Sequence, residues 1–418
     1  MARTQDERPW LIVVASGGRP FREYLFRSIA ARYRIHLLDA GEPGWQQPYL
    51  EDCTVLPDTG AATVREQTRT IAAGRPVAGV MTWHEEHVLQ TALASADLGL
   101  PGADPGAAAR CRDKFQTRTT LTGLGVRQPR FALAGTLDEA RAAATQIGYP
   151  VVVKPRALGG SMGVVLVHDE VELAEHFPQT RAMPFRHTPD YERPVLIEEY
   201  VTGPEISVDS VVQGGRATPL FVTRKQTGFA PWFEETGHLV EFPSPWQADA
   251  GLIREIDRIH RGVGFVDGWT HTEFRLTPSG PVLIEINGRL GGDLIPYLGR
   301  LASGIDPGLV AAAVATGRPA PVTPSSAGWA GIRFFYPPEG TVTIKDISIA
   351  GEGLPEGTDL LTPLVEAGDV VDAARNTRLD RRIGLATALA ATQEECVAAL
   401  DAAGAALRVT PYVTNNRL

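Results

Sequence analysis

Cysteine is scarce in this chain: three residues in 418 (Cys53, Cys111 and Cys396), odd in number and far apart. That excludes a disulfide framework, speaks against a cysteine zinc site and fits a reducing compartment. Long apolar runs are missing as well. No stretch approaches the roughly 18 apolar residues of a membrane-spanning helix. The opening MARTQDERPW lacks the apolar core of a signal peptide. The expectation is a cytoplasmic protein with no membrane partner. Positive charge is in deficit, with a formal net charge of -9, which argues against a nucleic-acid partner because phosphate backbones need a basic surface. A local basic pocket for a nucleotide stays open.

What is present is an ordinary globular composition, 43% hydrophobic and 21% charged, on a chain too long for one core. The first hundred residues alternate short apolar runs with helical stretches. Trp10–Ala15, Arg34–Ala40, Cys53–Pro57 and Val77–Trp83 read as buried strands, and Pro20–Tyr33 as a helix. Repeated βα units imply a doubly wound parallel sheet. Ser16-Gly17-Gly18-Arg19 lacks the GxGxxG spacing, and a tight βα turn explains it as well as a binding loop does. Asp104–Leu124 reads as one helix. Strand-rich segments follow at Gln128–Val167 and Val195–Gln226, with the helical Asp169–Phe177 and a Pro-containing loop to Arg193 between them. Trp269–Leu276 and Pro281–Asn287 read as a hairpin about Thr277-Pro278-Ser279-Gly280. The expected division is 1–110, 111–200, 201–325 and 326–418, the last part α+β and joined through a linker at Pro319–Ser326.

Four groups of residues carry chemistry. The strand Pro150–Pro155 ends by placing Lys154 at its mouth, and Gly159-Gly160-Ser161-Met162-Gly163 follows. Glycines let backbone N–H groups approach phosphate oxygens, and Ser161 adds a hydroxyl donor. Alone the glycine run fits a hairpin turn equally; the lysine five residues upstream favours a phosphate site, though not a Walker A loop. Next, Val195–Ile197 runs into Glu198-Glu199-Tyr200-Val201 and, past a turn, Glu205. This is either a strand end with solvated acids or a backbone strap for an adenine edge. Third, alternation on the hairpin puts Glu285, Asn287 and Arg289 on one face, away from Ile284 and Ile286, and antiparallel pairing brings Glu273 beside Glu285 and Asn287. Two carboxylates and an amide oxygen are hard ligands suited to Mg²⁺.

The order and spacing of the lysine and glycine loop, the Glu-Glu-Tyr-Val-x-Gly-x-Glu strap and the Glu…Glu-Ile-Asn-x-Arg hairpin resemble the ATP-grasp superfamily from about residue 110 to 320. The resemblance implies an N-terminal parallel-sheet domain, central ATP-grasp subdomains and a C-terminal α+β domain. It implies ATP on Lys114, Lys154, Gly160, Ser161, Met162 and Gly163 for phosphates, with Glu198, Glu199, Tyr200 and Val201 at adenine and Glu205 at ribose. Lys114 has a helix-surface lysine as its plainer reading. Glu273, Glu285 and Asn287 would hold two Mg²⁺ ions, with Mn²⁺ as a substitute.

Members of that superfamily activate a carboxylate as an acyl phosphate and couple it to an amine. Arg289, two residues past Asn287, is placed for the acyl phosphate and the oxyanion. The stretch Phe233–His238, read as a loop, and the Arg289-Leu290-Gly291-Gly292 end of the hairpin are similar to bacterial L-amino-acid ligases. That similarity makes Glu235 a counter-ion for a substrate ammonium and His238 a phosphate or oxyanion partner, with Gly292 and Asp293 in the substrate pocket. Some dipeptide ligases carry a bulky aromatic where Asp293 stands; an acid there suggests a basic or amine-bearing substrate. The expected partners are small-molecule carboxylate and amine substrates and a second copy in a homodimer. D-Ala–D-Ala ligases lack an arginine at the Arg289 position, and biotin carboxylases continue their arginine with Gln-Val-Glu-His. An ATP-dependent carboxylase, a purine-pathway ligase and a non-catalytic nucleotide module remain the alternatives.

Overall fold

The computed structural model describes residues 7–184, 191–337, 340–372 and 381–412. Part of the Pro-containing loop expected before Arg193 lies outside them. Four parallel strands, β1 (Trp10–Val14), β2 (Arg34–Asp39), β3 (Asp52–Val55) and β4 (Val77–Met81), stand in the order β3-β2-β1-β4. Helix α1 (Arg19–Ala30) connects β1 to β2, α2 (Ala61–Gly74) connects β3 to β4, and α3 (Val88–Asp97) follows β4. The expected parallel sheet is present.

The single helix expected at 104–124 is two, α4 (Pro105–Arg112) and α5 (Lys114–Thr122). The break is Asp113, whose carboxylate accepts from the N–H groups of Phe115 and Gln116 and caps the second helix. Arg156 grips the same carboxylate at 2.7 Å. A second sheet has the order β5-β8-β6-β7, from β5 (Phe131–Ala134), β6 (Val151–Pro155), β7 (Val165–Val167) and β8 (Val195–Glu199). Helices α6 (Leu137–Ile147) and α7 (Glu170–Arg181) cover one face. The helix α6 interrupts a stretch that reads as strand-rich. Thr136 caps it through Glu139 N–H, and Ala140, Ala143, Ala144 and Ile147 form its buried stripe.

Eight strands make the largest sheet, in the order β13-β12-β9-β10-β11-β14-β18-β16. They are β9 (Glu205–Gln213), β10 (Arg216–Gly228), β11 (Glu234–Phe242), β12 (Gly268–Thr277), β13 (Gly280–Asn287), β14 (Gly328–Phe335), β16 (Thr358–Pro363) and β18 (Gly384–Ala390). This sheet crosses residue 325, so strands from the C-terminal part extend it. The others, β15 (Thr341–Ile349), β17 (Val370–Asp372) and β19 (Leu407–Pro411), form a small sheet, and α11 (Gln393–Ala406) packs on β18 and β14.

Alternation divides the large sheet. On one face Ile206, Val208, Val212, Phe274, Leu283 and Ile286 meet α8 (Ala250–Val263). That helix buries Leu252, Ile256, Ile259 and Val263, each contributing about 1.5–3 kcal/mol. On the other face Val211, Phe221, Val240 and Trp269 join α9 (Ile295–Ser303) and α10 (Pro307–Ala315). The same core continues into Leu11, Val13, Leu25, Phe26 and Ile29, so it locks the N-terminal sheet to the large one. The four-stranded antiparallel sheet has its own core. No single helix among the described residues is long and apolar enough to cross a membrane. The three cysteines are free thiols.

Candidate active site

A cleft lies between the antiparallel sheet and the large sheet. On β6, Val151 and Val153 point into the core, while Val152 and Lys154 face the cleft, as a period of two requires. Lys154 Nζ stands 2.6 Å from Glu198 Oε2, and Arg118 Nε stands 2.8 Å from Glu198 Oε1. Burial opposes ionisation of Glu198, but Arg118 and Lys154 outweigh it and hold the carboxyl below its usual range. Glu198 therefore serves Lys154. Its carboxylate is thus taken up by two cations, while the residue lines the cleft beside Glu199, Tyr200 and Val201. Glu199, Tyr200 and Val201 line the cleft where the chain leaves the sheet, with Phe233 tilted against Tyr200 at 6.1 Å. Val152, Val164, Leu158 and Ile284 complete an apolar slot suited to a flat ring.

Lys114 is no surface lysine. With Asp113 capping α5, its ammonium turns inward, donates to the Leu158 carbonyl at 2.6 Å and pairs with Glu285 Oε1 at 2.9 Å. Gly160 and Ser161, both at positive φ, line the cleft as well; Met162 and Gly163 do not. Gly163 is instead a packing glycine, because a methyl there would meet Met183 at 2.9 Å and Pro155 at 3.0 Å.

The hairpin holds the acids. Glu273 and Glu285 are direct cross-strand partners. One β-bulge alters the expected alternation: Glu273 pairs with Glu285 but Phe274 with Leu283, so Ile284 is the extra residue. Ile284 thereby lines the cleft beside Glu285, while Leu283 and Ile286 stay in the core. The Ile284 carbonyl accepts from Arg118 Nη2 at 2.6 Å. Asn287 lies next to Glu285, with one polar amide atom 3.0 Å from Glu285 Oε1 and 3.3 Å from Glu85 Oε2. With its nitrogen there the amide donates to both; with its oxygen there, three acceptor oxygens converge and call for a cation. Like charges opposed across a ladder destabilise it unless a cation sits between them. Glu273, Glu285 and Asn287 therefore fit a divalent cation, with Glu85 as a further oxygen that no local pattern disclosed.

Lys225 on β10 also escaped the sequence reading. Its ammonium, almost fully buried, sits 2.7 Å from Glu205, 2.9 Å from Glu235 and 3.0 Å from Glu273. Burial lowers its affinity for a proton, yet the three carboxylates overcome this and raise its pKa well above the usual value. Glu205 is also held by Arg275 at 2.6 Å.

Gly160, Glu235 and Glu273 also line an adjoining cavity of about 690 Å³. Arg289, Gly292 and Asp293 line it, together with Gly17, Arg22 and His84 of the N-terminal domain and Leu364, Val371 and Arg382 of the C-terminal part. Arg289 Nε pairs with Glu85 at 2.7 Å, and a methyl on Gly159 would lie 3.5 Å from its Nη2. The guanidinium thus abuts the glycine loop.

Two expectations change here. His238 is on β11, not a loop, and is fully buried beneath the cavity. Thr227 pairs with Glu235 and Gln226 with Gly237, so Thr236 is a bulge residue. The bulge brings Glu235 and His238 to the same side, Nε2 lying 3.1 Å from Glu235 and 3.6 Å from Asp293. Burial lowers the imidazole pKa, but Asp293 and Glu235 raise it above the usual value overall. Asp293, in turn, is not free to hold a basic substrate, because Arg382 binds it through two contacts at 2.7 and 2.9 Å. It adopts a left-handed backbone at φ 50°, a conformation asparagine and aspartate tolerate better than most residues. His271, also missed, is flanked by Asp209 at 2.9 Å and Glu273 at 3.3 Å; despite burial these carry its pKa to about 9.

The family model described as an ATP-grasp domain matches residues 147–296, the stretch holding Lys154, the strap and the acidic hairpin. That stretch of the chain is an ATP-grasp domain. Human carnosine synthase 1 is 29% identical to this chain over 354 residues, 78% of the chain and 42% of that protein. The alanine–anticapsin ligase of Bacillus subtilis (strain 168) is 28% identical over 255 residues, 56% of the chain and 53% of that protein. The chain thus spans about half the length of the curated relatives it matches. The crystal structure of an L-amino acid ligase from Bacillus licheniformis superposes with a TM-score of 0.78, covering 97% of this chain and 99% of that one at 22% identity, a likeness of fold.

Proposed function

We propose that this ATP-grasp protein is an ATP- and Mg²⁺-dependent ligase joining an amino-acid carboxylate to an amine. The observation that carries this reading is one site formed by two adjoining spaces. The cleft of Lys114, Lys154, Glu273 and Glu285 shares Gly160, Glu235 and Glu273 with the cavity where Arg289 stands. In that space a carboxylate oxygen attacks the γ-phosphorus of ATP, and ADP departs with the bridging oxygen. The amine nitrogen then attacks the acyl carbon, phosphate leaves, and one proton is released.

Lys114 and Lys154 draw the triphosphate in and offset its charge. Mg²⁺, held by Glu273, Glu285 and Asn287 when bound, supplies further charge neutralisation for phosphoryl transfer. Arg289 presents a planar fork to the acyl phosphate and to the tetrahedral oxyanion, and Glu85 fixes its aim. Glu235, kept ionised by Lys225 against the cost of burial, faces the cavity as an acceptor for a substrate ammonium. Arg382, paired with Asp293, lines the far side of the cavity together with Phe21 and Leu364.

Phosphate release measured with Mg²⁺, ATP and a matrix of L-amino-acid pairs tests the proposal. Release that requires both amino acids, with a new amide in the mass spectrum, is the expected result. No release with any pair would refute it. Bicarbonate-dependent release without amino acids would assign a carboxylase instead.

A further inference from the structure

The cations around the large cavity are matched to anions with one exception. Arg289 has Glu85, Arg382 has Asp293, and His271 has Asp209. Arg22 has no acidic partner among the described residues. Its Nη1 is buried without a hydrogen bond, although the side chain lines the cavity. Asp293, a carboxylate in electrostatic range, is already claimed by Arg382. His84 lines the same wall of the cavity and offers a ring nitrogen for hydrogen bonding. Gly17 makes room for both side chains: at φ 78°, a methyl there would lie 3.1 Å from Arg22 Cγ and 3.1 Å from His84 Nε2. A guanidinium without a carboxylate partner and an imidazole on one wall form a receptor for a planar, singly charged anion.

Resting on the ligase reading above, we infer that Arg22 and His84 hold a second carboxylate, that of the amine substrate. The acyl substrate meets Arg289 and Glu235 beside the glycine loop. Arg22 stands on the N-terminal wall of the same cavity, where the partner that attacks it must enter. The amine substrate is therefore itself an amino acid, or another amino-carboxylate, rather than a simple amine.

Two measurements test this. In thermal unfolding with Mg²⁺ and ADP, pooled L-amino acids stabilise the wild-type protein more than their pooled carboxamides do. Arg22→Gln removes at least half of that difference, and Arg22→Lys restores part of it. Equal shifts from both pools, no shift from either, or an undiminished difference in Arg22→Gln overturns the inference. For each pair active in phosphate release, Arg22→Gln raises KM for the amine partner about 10- to 100-fold, the worth of one charge-assisted contact, and leaves KM for the acyl partner unchanged. An unaltered amine KM overturns it as well. Arg22-dependent preference for acids without ATP turnover by any pair would sink the ligase reading and leave the carboxylate site standing.

Discussion

Replacing Lys225 by methionine removes the one ammonium that three carboxylates share. Each contact, at 2.7, 2.9 and 3.0 Å, amounts to roughly 5–6 kcal/mol of gross attraction at an effective dielectric of about 20. Desolvation cancels most of this, and removal of one partner from a buried pair costs about 3–5 kcal/mol net. Residual partners soften the loss: Arg275 stays on Glu205, His238 on Glu235 and His271 on Glu273. The expected destabilisation is therefore at the lower end, about 3 kcal/mol. Urea unfolding of the wild type, Lys225→Met and the double variant with Glu235→Gln reads it. The double variant should recover part of the loss, because one of the three uncompensated charges is gone. Mg²⁺ should stabilise Lys225→Met more than the wild type, as it takes over the counter-charge. A loss below about 1 kcal/mol, the scale of an exposed pair, would refute the claim that these acids depend on Lys225.

Other residues give equally definite expectations. Arg289→Ala should lower the ligation rate by about 10²- to 10³-fold, the usual cost of losing an oxyanion donor, with ATP affinity by calorimetry nearly unchanged. Arg382→Met should free Asp293 and move substrate preference toward lysine and ornithine by about 10-fold in phosphate release, the worth of a new charged contact. An unaltered ranking would show that Asp293 does not face the substrate. His238 has a raised pKa, so the stability it contributes is complete below the unfolded-state pKa and is lost as pH rises through the higher folded value. The stability gap between wild type and His238→Asn should accordingly narrow in urea unfolding as pH rises above the ordinary histidine value of about 6.5.

The features legible in the sequence were those encoded by local pattern. A strand ending in Lys154 and a hairpin with polar residues at alternate positions carry their geometry in their spacing. Bulges are different, because one extra residue leaves composition unchanged while turning side chains over. Thr236 and Ile284 therefore misled the assignment of His238 to a loop and of Ile284 to the covered face. Asp113 was a readable cap, but a continuous helical pattern on both sides hid the break that turns Lys114 into the cleft. Glu85, Lys225, Arg22 and Arg382 come from four distant segments, and only tertiary packing brings them to one cavity or to its acids. Lys225 alone left a trace: it shares a strand face with Thr223 and Thr227, a polar row on a buried strand.

Two facing strands present oxygen atoms that would hold Mg²⁺ beside a nucleotide's phosphates. A crystal grown with Mn²⁺ and ADP tests this most directly through the anomalous signal of the metal. The account predicts manganese coordinated by Glu273, Glu285 and the Asn287 side-chain oxygen, the adenine between Val152 and Ile284, and Lys154 on the phosphates. Manganese bound elsewhere, with Lys114 still paired to Glu285 and the cleft free of nucleotide, would contradict it.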